Sequence, residues 1–378
     1  MKKILLMVMT VVLAAAMFAG CSAPAAKTSA AATTAAAATK AAETQAAATT
    51  QAAATTQAAT TQAATTQAAG GKTLTIGMSW AHKNDSLFYG MDDALTKAMA
   101  DQASANGYSN VKWIHVVAED DAQKQASQIT DLINQKVDLI VSYAYDSKAI
   151  ASSIEEARKA GIPFIMWDRA ADPSVTQPDA FIGLDTVKQA YTTGVALFDR
   201  MKKEGVTPTD VISIVGDLAD QNALNRIEGF KKAAEEYGVK ITQEVPSEWD
   251  SDKALSGFSA AFQAHPKCNT VLIASDFIIT SVQSVLETNN KWIPNGQDGH
   301  IWVGSQDVFP VGLQFIRDGY IDYDGAYDLK AMAEAFAPVA YGLLKGEKPA
   351  QAKITVAGAV IDQTNVDSTD GLWSLKYE

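Results

Sequence analysis

The chain has 378 residues, with 43 Asp+Glu against 31 Lys+Arg and a formal net charge of −12. That acidic balance argues against a nucleic-acid partner and against broad contact with anionic lipid. Its two Cys, Cys21 and Cys268, lie on opposite sides of a low-complexity tract, so the folded part has no intrachain disulfide and must rely on a sizeable core.

Lys2 and Lys3 precede an uncharged, mostly apolar run from Ile4 to Gly20. The run is shorter than the roughly 20 residues of a membrane-spanning helix, and it ends in small residues. Residues 1–20 are therefore expected to be a secretory signal peptide. Phe18-Ala19-Gly20-Cys21 resembles the lipobox of bacterial lipoproteins, with Phe18 where Leu is usual. The resemblance implies cleavage before Cys21, acylation of its thiol and attachment to the cell membrane. A plain signal peptide or an N-terminal anchor helix is the alternative, and each version places the protein outside the cytoplasm. Residues 21–71 collapse to Ala, Thr and Gln, with Thr-Thr-Gln-Ala-Ala starting at Thr55, Thr60 and Thr65. Without aromatics or apolar periodicity such a tract cannot offset its chain entropy, and it is expected to be a spacer. Gly71-Lys72-Thr73 is not a phosphate-binding loop: Thr66 stands where Gly is needed, and the tripeptide precedes a strand.

From residue 72 onward short apolar runs alternate with amphipathic stretches. The strand-like runs are 74–78, 111–117, 138–142, 163–167, 181–184, 211–215, a run ending near Val245, 271–274, 301–304 and 321–324. Helical patterns cover 89–105, 122–135, 149–160, 187–203, 223–237, 252–264, 278–288 and 331–344. Gly107, Gly161 and Gly238 sit where helix C-caps belong. Val- and Ile-rich strands separated by helices mean parallel strands buried on both faces. The class is α/β with doubly wound sheets, and the number of strands fits two lobes better than one. Cys268, just before an apolar strand, is expected to be buried filler.

In such sheets ligands bind beyond the carboxyl ends of the strands. There the sequence places Asn84, Asp85, Phe88 and Tyr89, then Asp168 with Arg169, and Asp185. Asn222, Arg226, Trp249, Ser275 with Asp276, and Asp307 follow in the second half. Aromatic rings suit the apolar faces of a pyranose, and Asp, Asn and Arg can each engage two neighbouring hydroxyls. Each has a structural alternative. An Asp at a strand end is often a helix cap, Trp249 could be lobe core, one of Phe88 and Tyr89 is expected in the core, and Arg226 could pair with Asp220 or Glu228 on the surface. Asp168-Arg169 is the strongest pair, because adjacent opposite charges after a buried strand are costly unless used.

With these residues in view, the chain resembles the bacterial periplasmic sugar-binding proteins of ribose and galactose type, the type I periplasmic binding proteins. The resemblance is carried by Ile162-Pro163-Phe164-Ile165-Met166-Trp167-Asp168-Arg169, by Arg226-Ile227-Glu228-Gly229-Phe230, and by His265-Pro266 ahead of residues 271–276. Gly346-Glu347-Lys348-Pro349 and Ile361-Asp362-Gln363-Thr364-Asn365 add to it. It implies two Rossmann-like lobes joined by a three-segment hinge near 184–186, 327–329 and 356–358, which brings Tyr327 to the site. The implied lobes are 72–184 plus 328–356 and 185–327 plus 357–378. It further implies a monosaccharide between the lobes, hinge closure, and delivery to the membrane permease of an ABC transporter driven by a cytoplasmic ATPase. A monomer is expected. Tyr143 stands where ribose binders carry Asn, Ser275 replaces the usual Asn, and no counterpart of the calcium loop of galactose binders is present. Trp249 leans the ligand toward a hexose.

No Gly-x-Ser-x-Gly elbow, His-Glu-x-x-His or cofactor fingerprint occurs, and the 4 His are scattered. Binding without catalysis, and without metal or cofactor, is the expectation. The same site could serve a receptor kinase or chemoreceptor, or take a nucleoside or furanosyl signalling molecule.

Overall fold

A computed structural model describes residues 71–83 and 86–377. Cys21, the proposed signal peptide and nearly all of the 21–71 tract lie outside the described residues, as do Asn84 and Asp85. Among the described residues no helix is long and apolar enough to cross a membrane.

Two six-stranded sheets form the scaffold. The first contains β1 (Lys72–Trp80), β2 (Tyr108–Val117), β3 (Leu139–Tyr143), β4 (Phe164–Trp167), β5 (Ala180–Leu184) and β11 (Lys353–Val356), in the order β11-β5-β4-β3-β1-β2. The second contains β6 (Val211–Val215), β7 (Ile241–Pro246), β8 (Thr270–Ile273), β9 (Trp302–Asp307), β10 (Tyr323–Ala326) and β12 (Val360–Ile361), in the order β12-β10-β9-β8-β6-β7. All pairings are parallel except that of β12 with β10. The chain passes between the sheets after β5, after β10 and between β11 and β12.

The helices are α1 (Ser86–Ala103), α2 (Ala122–Asn134), α3 (Ile150–Ala160), α4 (Thr186–Lys203), α5 (Gln221–Glu236), α6 (Ser251–Ala264), α7 (Ile279–Thr288), α8 (Pro310–Arg317) and α9 (Leu329–Leu344). They cover both faces of each sheet, so the central strands are buried throughout. Alternate residues serve opposite cores. In β3, Leu139 and Val141 join Leu74, Ile76 and Met78 of β1 against α1 and α9, while Ile140 faces Ile129 and Leu132 of α2. Each fully buried Leu, Ile, Val or Met contributes roughly 1.5–3 kcal/mol. The edge strands β2 and β7 are only half buried, unlike the fully buried strands expected from their apolar runs. Cys268 is buried, and burial pushes its thiol up to about 11.

Aspartates start several helices. Asp121 caps α2, Asp185 caps α4, Asp220 caps α5, Asp250 caps α6 and Asp328 caps α9, each accepting a backbone N–H of the first turn. Such a cap contributes about 1 kcal/mol. Gly107 and Gly161 adopt the left-handed conformation at helix ends, with φ of 84° and 72°.

Helix α5 lies tightly on α4, and Gly229 permits this approach. A Cβ there would stand 2.3 Å from the Val187 carbonyl oxygen and 2.9 Å from the Tyr191 nitrogen. Backbone cannot yield as a side chain can. Gly229→Ala is therefore expected to destabilise the protein by about 1–3 kcal/mol, read as a lowered midpoint in thermal melting. Unchanged melting would show that α5 can slide without cost, and with it Asn222 and Arg226.

Candidate ligand-binding site

Both sheets aim the carboxyl ends of their strands at one cavity of about 460 Å³, within the range of small-molecule sites. The first sheet supplies Tyr143 at the end of β3 and Arg169 just past β4, and α1 adds Phe88. The second supplies Asn222 and Arg226 from α5, Trp249 before α6, Ser275 after β8 and Asp307 at the end of β9, and Tyr327 lies on the crossing after β10.

Arg226 is 2 % exposed. Its Nη1 donates to the Ala274 carbonyl at 2.8 Å and to Asp307 Oδ2 at 3.1 Å, and its Nη2 donates to Asp307 Oδ1. This fork matches a carboxylate. Burial alone would lower the guanidinium pKa, but Asp307 and nearby charges outweigh it, and Arg226 stays ionised. Arg226 pairs with neither Asp220 nor Glu228, the partners its surface alternative requires. Across the cavity the Arg169 guanidinium lies 4.5 Å from the centre of the Tyr143 ring, a cation–π contact. Its Nη1 donates to the Ala144 carbonyl at 3.2 Å, and its Nε sits 3.0 Å from Asp220 Oδ2. That last contact is an ion pair whose N–H is not directed at the oxygen.

The lobes meet around this cavity. Asn222 Nδ2 donates to Asp168 Oδ2 at 3.0 Å, and the Tyr327 hydroxyl reaches the same oxygen at 3.3 Å. The Gln221 N–H donates to Ser147 Oγ at 3.0 Å, and the Ser147 N–H to the Ala219 carbonyl at 3.2 Å. Asp168 is fully buried and stands behind Asn222 and Tyr327, not on the cavity wall itself. Burial pushes its carboxyl up to about 7, helped by Asp220 and Asp307 and opposed by Arg226 and Arg169.

Two further expectations are corrected. Tyr89 is 53 % exposed and lies away from the cavity, near Lys83. Successive helix residues point about 100° apart, so when Phe88 turns inward Tyr89 must turn out. Asp185 is the cap of α4, accepting the Lys188 N–H at 3.0 Å, and it too lies off the cavity.

Asp220 was not among the expected ligand contacts. It is 1 % exposed, and one oxygen caps α5 at the Asn222 N–H while the other accepts the Trp249 indole N–H at 3.1 Å. Its position two residues before Asn222 was the available signal. His82, Tyr145, Phe277 and Phe309 also line the cavity. Burial raises the carboxyl of Asp307, against the pull of Arg226.

Trp249 lies over Gly216, where a Cβ would stand 2.1 Å from the indole. Gly216→Ala must displace the ring. Affinity for a ligand stacked there is expected to fall at least about tenfold, or ~1.4 kcal/mol, with altered Trp fluorescence. Unchanged affinity would remove Trp249 from the ligand contacts. The backbone of Asp307 and Val308 is left-handed, with φ of 96° and 52°. Such conformations cost of order 1–3 kcal/mol each and mark turns that the surroundings over-determine.

The chain is 26% identical over 220 residues to the ribose import binding protein of Bacillus subtilis (strain 168), covering 58% of this chain and 68% of that protein. It is 27% identical over 239 residues to the D-ribose/D-allose-binding protein of Pseudomonas aeruginosa, covering 62% and 72%. The solved ABC transporter solute binding protein of Mycobacterium smegmatis with bound glycerol shares the fold. Its TM-score is 0.68 at 22% identity, over 79% of this chain and 99% of that one. Residues 76–348 match the periplasmic binding protein domain, more than half of the sequence, and the chain belongs to that family.

Proposed function

We propose that the protein is an extracytoplasmic solute-binding lipoprotein, which captures a monosaccharide between its lobes and delivers it to the permease of an ABC transporter. The observation that carries this reading is the composition of the cavity wall. Tyr143, Phe88 and Trp249 bring aromatic rings beside the forked pair of Arg226 with Asp307 and the ion pair of Arg169 with Asp220. Rings cover the C–H faces of a sugar, and fixed planar groups meet its hydroxyls two at a time. Relatives named for ribose and allose support the ligand class. Closure follows from contacts made by both lobes, since a sugar touching both favours the closed arrangement. Acylation of Cys21 would hold the domain at the membrane, with residues 22–71 as its spacer.

The test is thermal melting of the full chain with D-ribose, D-allose, D-xylose, D-galactose, nucleosides and amino acids. A ligand at a hundred times its Kd stabilises the folded form by about 2.7 kcal/mol. Shifts confined to one or two sugars support the reading. A shift with a nucleoside alone keeps the fold and replaces the ligand.

A further inference from the structure

Residues 366–377 cross from one lobe to the other. Val366 and Leu372 are buried in the core of the second lobe with Leu313 and Ile316, and Asp367 pairs with Arg317 at 2.8 Å. The next residue leaves that core. The rings of Trp373 and Tyr377 close on Gly90 of α1, where a Cβ would stand 3.5 Å from each. The Tyr377 hydroxyl donates to Asp93 Oδ2 at 2.9 Å, and Lys376 pairs with the same carboxylate at 2.6 Å. This is a fourth connection between the lobes. Residues 357–378 are therefore not confined to the second lobe, where the sequence had placed them.

Trp373 also touches the site. Its indole N–H donates at 2.9 Å to the backbone carbonyl of Asp307, and its ring meets Phe309 edge-on at 5.4 Å. Asp307 and Phe309 both line the cavity. The left-handed turn between them is held from three sides. Asp324 Oδ1 accepts the Val308 N–H at 3.1 Å, Asp276 accepts the Phe309 N–H at 2.8 Å, and Trp373 takes the Asp307 carbonyl. Asp276 and Asp324 belong to the same lobe as the turn, whereas the residues following Trp373 are fastened to the other.

We propose that Trp373 is a positioning residue for this cavity. Anchored to α1 by Lys376 and Tyr377, it holds the Asp307 carboxylate in line with Arg226 and links that alignment to the closed arrangement of the lobes. The proposal rests on the reading of the cavity as the sugar site.

Two full-chain variants separate the parts. Trp373→Phe keeps a ring against Gly90 and Phe309 and removes the N–H. Tyr377→Phe with Lys376→Met cuts the link to Asp93 and leaves Trp373 in place. Each is titrated with D-ribose, D-allose, D-xylose and D-galactose, and measured without sugar by small-angle X-ray scattering. Trp373→Phe is expected to weaken, by tenfold or more, binding of whichever sugar the unaltered chain takes. Adding Asp307→Asn to Trp373→Phe should then cost less affinity than Asp307→Asn alone, which a purely structural role would not produce. The Tyr377/Lys376 variant should show a larger radius of gyration without sugar. Unchanged affinity in Trp373→Phe, or unchanged scattering in the other variant, overturns the proposal. An unaltered chain that binds none of these sugars sinks the sugar reading, and scattering alone then decides whether residues 366–377 tie the lobes together.

Discussion

Replacing Arg226 with Met is expected to cost sugar affinity at least about a hundredfold and also to lower the stability of the sugar-free protein. The two losses have different origins. Arg226 lines the cavity, so its removal deletes charged donors for sugar hydroxyls. It is also one half of a buried pair with Asp307, and removing one partner of such a pair costs about 3–5 kcal/mol, because the remaining charge is left in low dielectric. The double variant Arg226→Met with Asp307→Leu separates the effects. Replacing both members with apolar groups is often neutral, so melting should recover most of the loss while affinity stays low. If the double variant melts as low as the single one, the pair holds the lobe through the Ala274 carbonyl and not through charge balance. If Arg226→Met binds sugars as the unaltered chain does, the site lies elsewhere.

Much of the fold was legible because the parallel strands are continuous apolar runs. The run 211–215 and β6 coincide, and β4 differs from its expectation by one residue. What escaped was short or marginal. Helix α8 is a single short element behind Pro310, β11 alternates exposed and half-buried residues at a sheet edge, and β12 has two residues. The site was legible as a set of strand ends, which is why Arg169, Arg226, Trp249, Ser275 and Asp307 converge. Sequence could not say which aspartate cap also faces the cavity. Asp185 and Asp220 both open helices of the second lobe. Asp220 and Asp250 cap helices and also line the cavity, whereas Asp185 does not, and that difference depends on tertiary placement. The crossing of residues 366–377 between the lobes was invisible for the same reason. Trp373 carries no periodicity, and its bond to Asp307 spans 66 positions.

Asp168→Asn is the variant whose effect turns on pH. The backbone there is left-handed, with φ of 61°, a conformation Asn tolerates and Ala does not. Asn is therefore the cleaner probe. The Asp168 carboxyl is pushed from an ordinary 3.8 to about 7 in the folded protein, chiefly by burial. A raised folded pKa means that the folded state holds a proton which the unfolded state has released. Its contribution to stability is complete below about pH 4 and is lost as pH rises through about 7, with a slope of up to roughly 1.4 kcal/mol per pH unit. Asp276, Asp324 and His300 carry raised values of the same sign, so the diagnostic quantity is the difference between the unaltered chain and Asp168→Asn. That difference should move in favour of the Asn variant as pH rises from 5 to 8. Asp168 Oδ2 receives Asn222 from the opposite lobe, so the arrangement that buries this carboxyl and raises it is the closed one. A sugar that favours closure should therefore raise the pKa of Asp168 and take up a proton. Calorimetric titration in two buffers of different ionisation enthalpy, near pH 7, should show that uptake in the unaltered chain and less of it in Asp168→Asn. A parallel pH dependence of melting in both proteins would mean that Asp168 is ionised throughout, held by Arg226 and Arg169 more strongly than burial opposes them.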